Sequence, residues 1–257
     1  MKKALFMLFM LPQMALANNL TNDLISCDTL YSKRGNDSLL ASDCYRTLLT
    51  NSLSPGDQKL IYERVFIALS SVVDLQPATD AEGIAITKAL ALLDQMQISL
   101  PVSADYFYWL AVFTSFNSTR LDRGSILPRN MFRMLRSIQG ELNQAHTTDP
   151  TIHFFGPSRV IGIMHTSMPA IAGGDKRLAE VRLAEAYSAF PNLSANCVAY
   201  AKILIINSKF DLAKTVLTKF LSKSDNELNP FPNEPLRAPK AELFRDRDSA
   251  RTMLSSF

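Results

Sequence analysis

Three pairs of residues stand 34 positions apart in the C-terminal half of the chain: Ala179 with Ala213, Leu183 with Leu217, and Ala186 with Phe220. Within each set the offsets are +4 and +7, which place the three side chains on one face of a helix. Pro191 follows the first set twelve residues after Ala179. A face that recurs at a fixed interval belongs to a unit too small to bury it alone. Such units stack on one another and share a core.

Two antiparallel helices in 34 residues, with a small residue early in the second where the helices approach most closely, form a tetratricopeptide-like unit. Residues 194–206 are expected as the next first helix, with Tyr200, Ala201 and Leu204 at its large, small and large positions. Asn207-Ser208 turns the chain, and 209–222 forms the partner helix. The run Ile203 to Ile206 alone reads equally as a strand, but the repeat register assigns it to a helix. Ala41, Tyr45 and Leu48 repeat the same offsets near the N-terminus.

Helical periodicity extends over most of the rest. Ile61, Val65, Ala68, Leu69 and Val72 share a face, as do Ala85, Ala89, Leu92, Leu93 and Met96, and more sparsely Met131, Leu135, Ile138 and Leu142. No stretch alternates apolar and polar residues over five or more positions between turn residues, as a half-buried strand would. The punctuation agrees. Ser54-Pro55-Gly56-Asp57 is an N-cap followed by proline at the first helical position, and Thr79-Asp80-Ala81-Glu82 is a capping box. Ser103-Ala104-Asp105 and Pro128 mark two further helix starts. Ser222 to Pro239 is the one long loop, because its four prolines exclude a continuous helix. The expectation is an all-α chain, a tetratricopeptide-like α-α superhelix of about eleven helices.

Residues 1–17 carry the pattern of a secretory signal. Lys2 and Lys3 form a positive start, Ala4 to Leu11 an apolar stretch too short to span a bilayer, and Ala15-Leu16-Ala17 a small-x-small cleavage site. Residues 18–257 are then expected as one helical domain, exported to the periplasm of a Gram-negative type of bacterium, with no membrane span left after cleavage. The formal charge of +3 includes Lys2 and Lys3, so the remainder is close to neutral. A near-neutral chain has no electrostatic pull on nucleic acid.

Export permits disulfides. Cys27 and Cys44 lie equidistant from the turn signal Gly35-Asn36-Asp37, so an antiparallel hairpin puts them at one height. A Cys27–Cys44 bridge is expected in preference to two buried thiols, although equal height does not ensure converging Cβ vectors. Cys197 is left over and expected to be buried.

A second pattern, Gly156-Pro157-Ser158-Arg159, Gly162, Pro169 and Gly173-Gly174-Asp175, runs straight into the repeat and on to Asn196. Together with Glu82-Gly83-Ile84 at a helix start, the aromatic run Tyr106 to Ala111, and a helix begun by Pro239, it resembles the TatT or T-component family of tripartite ATP-independent periplasmic (TRAP) transporters. The resemblance implies an α-helical array with a ligand-accessible cavity, homotrimer formation, and association with a periplasmic solute-binding subunit. Well-known members resemble lipoproteins, whereas no cysteine follows Ala17 here.

The residue types that carry chemistry are sparse. His146, His153 and His165 have no zinc-ligand spacing and are expected at the surface or in caps, so no metal and no cofactor is assigned. Gly173-Gly174-Asp175 lacks the lysine and hydroxyl residue of a phosphate loop, and no G-x-S-x-G elbow singles out a nucleophile. A triad assembled from distant positions stays open. Arg159 is read two ways: as a fork gripping a ligand carboxylate or phosphate, or, preferred, as a structural arginine paired with Asp175 or another acid. Gly173 and Gly174 are expected to form a tight, positive-φ link. Tyr106, Phe107, Tyr108 and Trp109 point all round one helix, so core packing is expected, with a ligand-facing wall as the alternative. Asn196 and Tyr200, one turn apart on a first helix, are expected to face the concave side as contact residues. The function expected is a non-catalytic binding or scaffold subunit holding a partner protein or a small apolar ligand. The alternatives are an enzyme with an unrecognised site or an envelope-assembly scaffold.

Overall fold

The computed structural model describes residues 20–32, 37–49, 53–122, 131–228 and 240–257. The signal pattern, Gly35-Asn36, Pro128 and the proline-rich stretch up to Pro239 lie outside the described residues. Among the described residues there are eleven α-helices, one short 3-10 helix and no strand. The helices are α1 (20–32), α2 (Asp37–Thr47), α3 (Pro55–Leu75), α4 (Asp80–Ser99), α5 (Ala104–Asp122), α6 (Met131–Thr148), α7 (Ile152–Ser167), α8 (Lys176–Ala189), α9 (Ser194–Ile206), α10 (Phe210–Leu221) and α11 (Lys240–Leu254). The stretch Ile203–Ile206 is helical. The chain divides into two compact units, Met1–Leu92 and Leu93–Phe257. Their boundary falls inside the continuous helix α4, where no change of composition marks it.

In the first unit the expected caps form. Ser54 accepts from the Asp57 backbone amide at 3.1 Å with proline at the start of α3. Thr79 accepts from the Glu82 amide, and the Glu82 carboxylate reaches back to the Ala78 amide at 2.9 Å. The Cys27–Cys44 disulfide is present, with Cα atoms 5.5 Å apart. Beside it the Tyr45 hydroxyl donates to Asp28 at 2.5 Å, and Arg64 pairs with the same carboxylate. Burial and the adjoining Asp28 charge push the Tyr45 phenol well above its ordinary value. Ile61, Val65, Ala68, Leu69 and Val72 are all enclosed, as their spacing on α3 requires.

In the second unit consecutive helices pack as hairpins, α5 on α6, α7 on α8, and α9 on α10. The first helix of each pair also touches the first helix of the next: α5 meets α7, α7 meets α9, and α9 meets α11. Ala179, Leu183 and Ala186 on α8 are buried, and so are Ala213, Leu217 and Phe220 on α10. The 34-residue spacing therefore marks equivalent, core-facing positions.

The Gly-Pro-rich pattern builds the path from α7 to α8. Gly162 lies where α7 crosses α8, so near that an added Cβ would sit 2.5 Å from the Leu183 Cγ. Gly173 adopts the left-handed region, φ 90°, closing the 3-10 turn Ala170–Ala172. Gly174 serves a different need from its neighbour: its Cβ would fall 2.0 Å from the Met168 carbonyl oxygen. Asp175 then caps α8, accepting from the Arg177 and Leu178 amides at 2.9 and 3.0 Å.

Candidate functional site

Antiparallel packing gathers the start of α5, the end of α6, the start of α7, the end of α8 and the start of α9 along one edge of the second unit. The unusual backbone of this edge is at the head of α7. His153, Phe154 and Phe155 all take left-handed dihedrals, with φ of 48°, 59° and 57°, before the chain turns right-handed at Gly156 and Pro157. For side chains with a Cβ this costs roughly 1–2 kcal/mol per residue, so surrounding contacts must fix it.

Those contacts come from three helices. From α5, the Tyr108 ring stacks on the His153 imidazole with centroids 4.5 Å apart, and Trp109 meets the same imidazole edge-on at 4.9 Å. The Asp105 carboxylate lies 3.4 Å from His153 Nε2. Gly156 permits the approach, because a Cβ there would stand 2.9 Å from the Tyr108 ring. From within α7, Arg159 folds back and donates to the His153 and Phe154 carbonyls at 3.3–3.5 Å, supplying partners that a left-handed turn cannot find in its own helix. From α9, Asn196 accepts from Arg159 at 2.9 Å and donates to the Ala186 and Phe190 carbonyls at the end of α8.

Arg159, expected to pair with Asp175 or another acid, gives these hydrogen bonds to neutral oxygens and none to Asp175, while the acid its charge bears on is Asp246. Asp175 is committed to its helix cap, which is why it does not reach the arginine. Asn196, expected at an open face, is fully enclosed, because its amide joins α7, α8 and α9. Tyr106 and Trp109 are buried too, at 8% and 5% exposure. Tyr200 is half-buried and stacks on Tyr187 at 5.2 Å. The structure thus brings Arg159 and Asn196 together and places Trp109 beneath them through His153. The half-buried side chains on this edge are Phe154, Phe155 and Phe190, with Phe190 against Phe154 at 5.1 Å and against Phe155 at 6.0 Å. Sequence reasoning passed over these three, since phenylalanines around a Gly-Pro turn look like ordinary core.

The histidines, expected at the surface or in caps, are internal. His165 is enclosed and the other two are half-buried, each held by groups on neighbouring helices. His146 belongs to a closed ring with Ser158, Arg182 and Glu185 in which the Ser158 hydroxyl donates to Glu185 at 2.9 Å. The enclosed serine spends its proton on a carboxylate and not on the imidazole. Cys197 is buried beneath the edge, and burial pushes its thiol up to about 11, so it stays protonated at neutral pH. The Asp246 carboxyl, accepting from Ser194 at 2.6 Å, is raised above the usual range by burial. Among the described residues no three His, Cys, Asp or Glu side chains converge as metal ligands, and no helix is long and apolar enough to cross a membrane.

Replacing Asn196 with alanine strands a guanidinium hydrogen and two backbone carbonyls. It is expected to lower unfolding free energy by about 2–3 kcal/mol, measured as the denaturant midpoint at unchanged m. A loss under 0.5 kcal/mol would mean that water replaces the amide without cost.

No family model matches the chain, and no curated protein matches it in sequence.

Proposed function

We propose that this chain is a non-catalytic binding or scaffold protein of the periplasm, and that its aromatic edge is the surface that takes a partner, in the manner of a TRAP transporter T-component. The reading is supported first by how the helices touch. First helices meeting in succession, α5 to α7 to α9 to α11, are compatible with a tetratricopeptide-like array. Such an array buries its repeat positions and leaves loops and first helices free to bind.

The observation that carries the proposal is the edge itself. Phe154 and Phe155 both pack half-buried against Phe190 beside Arg159, whose hydrogen bonds go to neutral oxygens while its charge also bears on the buried Asp246. Aromatic rings around an arginine make an interface centre: the rings bring apolar area at small entropic cost, and the guanidinium takes an anionic group in two places. The left-handed backbone at His153–Phe155 fixes Phe154 and Phe155 before any partner arrives, which lowers the ordering cost of association.

The test is capture from periplasmic extract with the purified protein as bait. Wild type is expected to recover a solute-binding protein, and the Phe155→Ser, Phe190→Ser double variant to recover about tenfold less, the equivalent of roughly 1.4 kcal/mol. Equal recovery by variant and wild type overturns the assignment of the edge. Recovery of envelope-assembly machinery in place of a solute-binding protein removes the transporter part and keeps the scaffold.

A further inference from the structure

Two histidines fasten the two ends of α7 to both of its neighbours, and each does so through a nitrogen lone pair. Near the start of α7, His146 of α6 accepts from the Arg182 guanidinium of α8 at Nε2, 2.8 Å away. Its other nitrogen lies 3.1 Å from the Ser158 oxygen of α7. The Ser158 hydroxyl is already donated to Glu185 and arginine has only protons to give. One tautomer closes the ring: hydrogen on Nδ1, lone pair on Nε2, no charge.

At the far end of α7, His165 accepts at Nδ1 from the Asp175 backbone amide, 3.3 Å away. Its Nε2 lies 3.2 Å from the Gln139 amide of α6, which accepts through its oxygen once the interchangeable amide atoms are turned to suit. With the amide so turned, a neutral ring meets both contacts.

We propose that His146 and His165 form an acid-released latch that clamps α7 between α6 and α8 while both imidazoles are uncharged. Adding a proton to either ring replaces an acceptor with a donor facing a donor. It also sets a positive charge beside Arg182 at one end and beside Lys176 at the other, where the lysine ammonium already reaches the His165 carbonyl at 3.4 Å. The groups opposing this are Glu185 near His146, and Asp175 and the Gly173 carbonyl near His165, each of which favours the charged ring. Burial outweighs them, and both imidazoles sit below the ordinary histidine value.

The sign follows from linkage. A histidine lowered in the folded state leaves stability intact above the unfolded value of about 6.5, and stability falls as pH drops through the folded value. The left-handed turn that carries Phe154 and Phe155 is the head of α7, so once α7 is released from α6 and α8 whatever the aromatic edge holds is let go in acid. That consequence rests on the binding reading; the latch does not.

Hydrogen exchange of the full chain without any partner, corrected for intrinsic rates, tests the latch directly. Between pH 7.5 and 5, amides of α7 and α8 are expected to open about tenfold more often for each unit by which each imidazole is lowered. The His146→Gln, His165→Gln double variant, whose amides keep a donor and an acceptor at every pH, is expected to lose that acceleration. Acceleration of equal size in the variant overturns the proposal. Should the variant not fold, imidazole carbon-bound proton shifts in the wild type decide. Both rings titrating below 6.5 together with α7 opening supports the latch, and either ring titrating at or above 6.5 overturns it.

Discussion

Gly174→Ala is expected to destabilise the Leu93–Phe257 unit by at least about 3 kcal/mol, lowering its melting temperature by roughly 6–12 °C. The cause is local and leaves little room for relaxation. The new Cβ falls 2.0 Å from the Met168 carbonyl oxygen and 2.7 Å from its carbon, and the Pro169 oxygen stands at 3.0 Å. Those atoms are backbone, so no rotamer change clears them. The Gly174 amide meanwhile donates to the Pro169 carbonyl at 3.0 Å, so moving the chain aside also costs a hydrogen bond. Gly140 supplies the control. It lies inside α6 with nothing within 4 Å of its absent Cβ, so Gly140→Ala is expected to stabilise by about 0.5–1 kcal/mol through helix propensity. Thermal melts of both variants against wild type settle the matter, and a Gly174→Ala protein that melts with wild type would refute the packing assigned to this junction.

Reducing the Cys27–Cys44 bridge is expected to cost the Met1–Leu92 unit about 3 kcal/mol, or roughly 12–24 °C in melting temperature for a unit of that size. The bridge spans 17 positions, and its loss returns loop-closure entropy to the unfolded chain. It also ties together the two helices that flank the Tyr45, Asp28 and Arg64 network. A Cys27→Ser, Cys44→Ser protein should behave like reduced wild type. Reductant should leave that variant unchanged, because the remaining thiol, Cys197, is buried and has no partner to bridge. A reduced protein that melts within 3 °C of the oxidised one would show that the α1–α2 hairpin is closed by packing alone.

The helices, their caps and the repeat were legible because each rests on local rules. Ser54 and Thr79 cap where the sequence placed them, since a short polar side chain before a helix has few other uses. The repeat positions Ala179 and Ala213 were legible because shared burial forces shared residue size. The cysteine pairing followed from hairpin symmetry. The left-handed turn at His153–Phe155 was invisible, because no glycine or asparagine announces it and tertiary contacts from Tyr108, Arg159 and Asn196 impose it. Asn196 was misplaced for a related reason. The helical wheel gives a direction, and only the neighbouring helix ends decide whether that direction is open. The histidine latch joins residues 10 to 36 positions apart, a distance over which sequence spacing carries no register. The division at Leu92 leaves no mark because it falls within one unbroken helix.

The central claim is that stacked helix hairpins leave one aromatic edge to hold a partner. A photoreactive phenylalanine analogue placed at Phe155, and separately at the exposed Lys214 of α10, tests it in the living cell. The account predicts that position 155 cross-links to one discrete periplasmic partner and position 214 does not. Cross-linking from 214 alone, or none from 155 in a protein that remains folded, would contradict it.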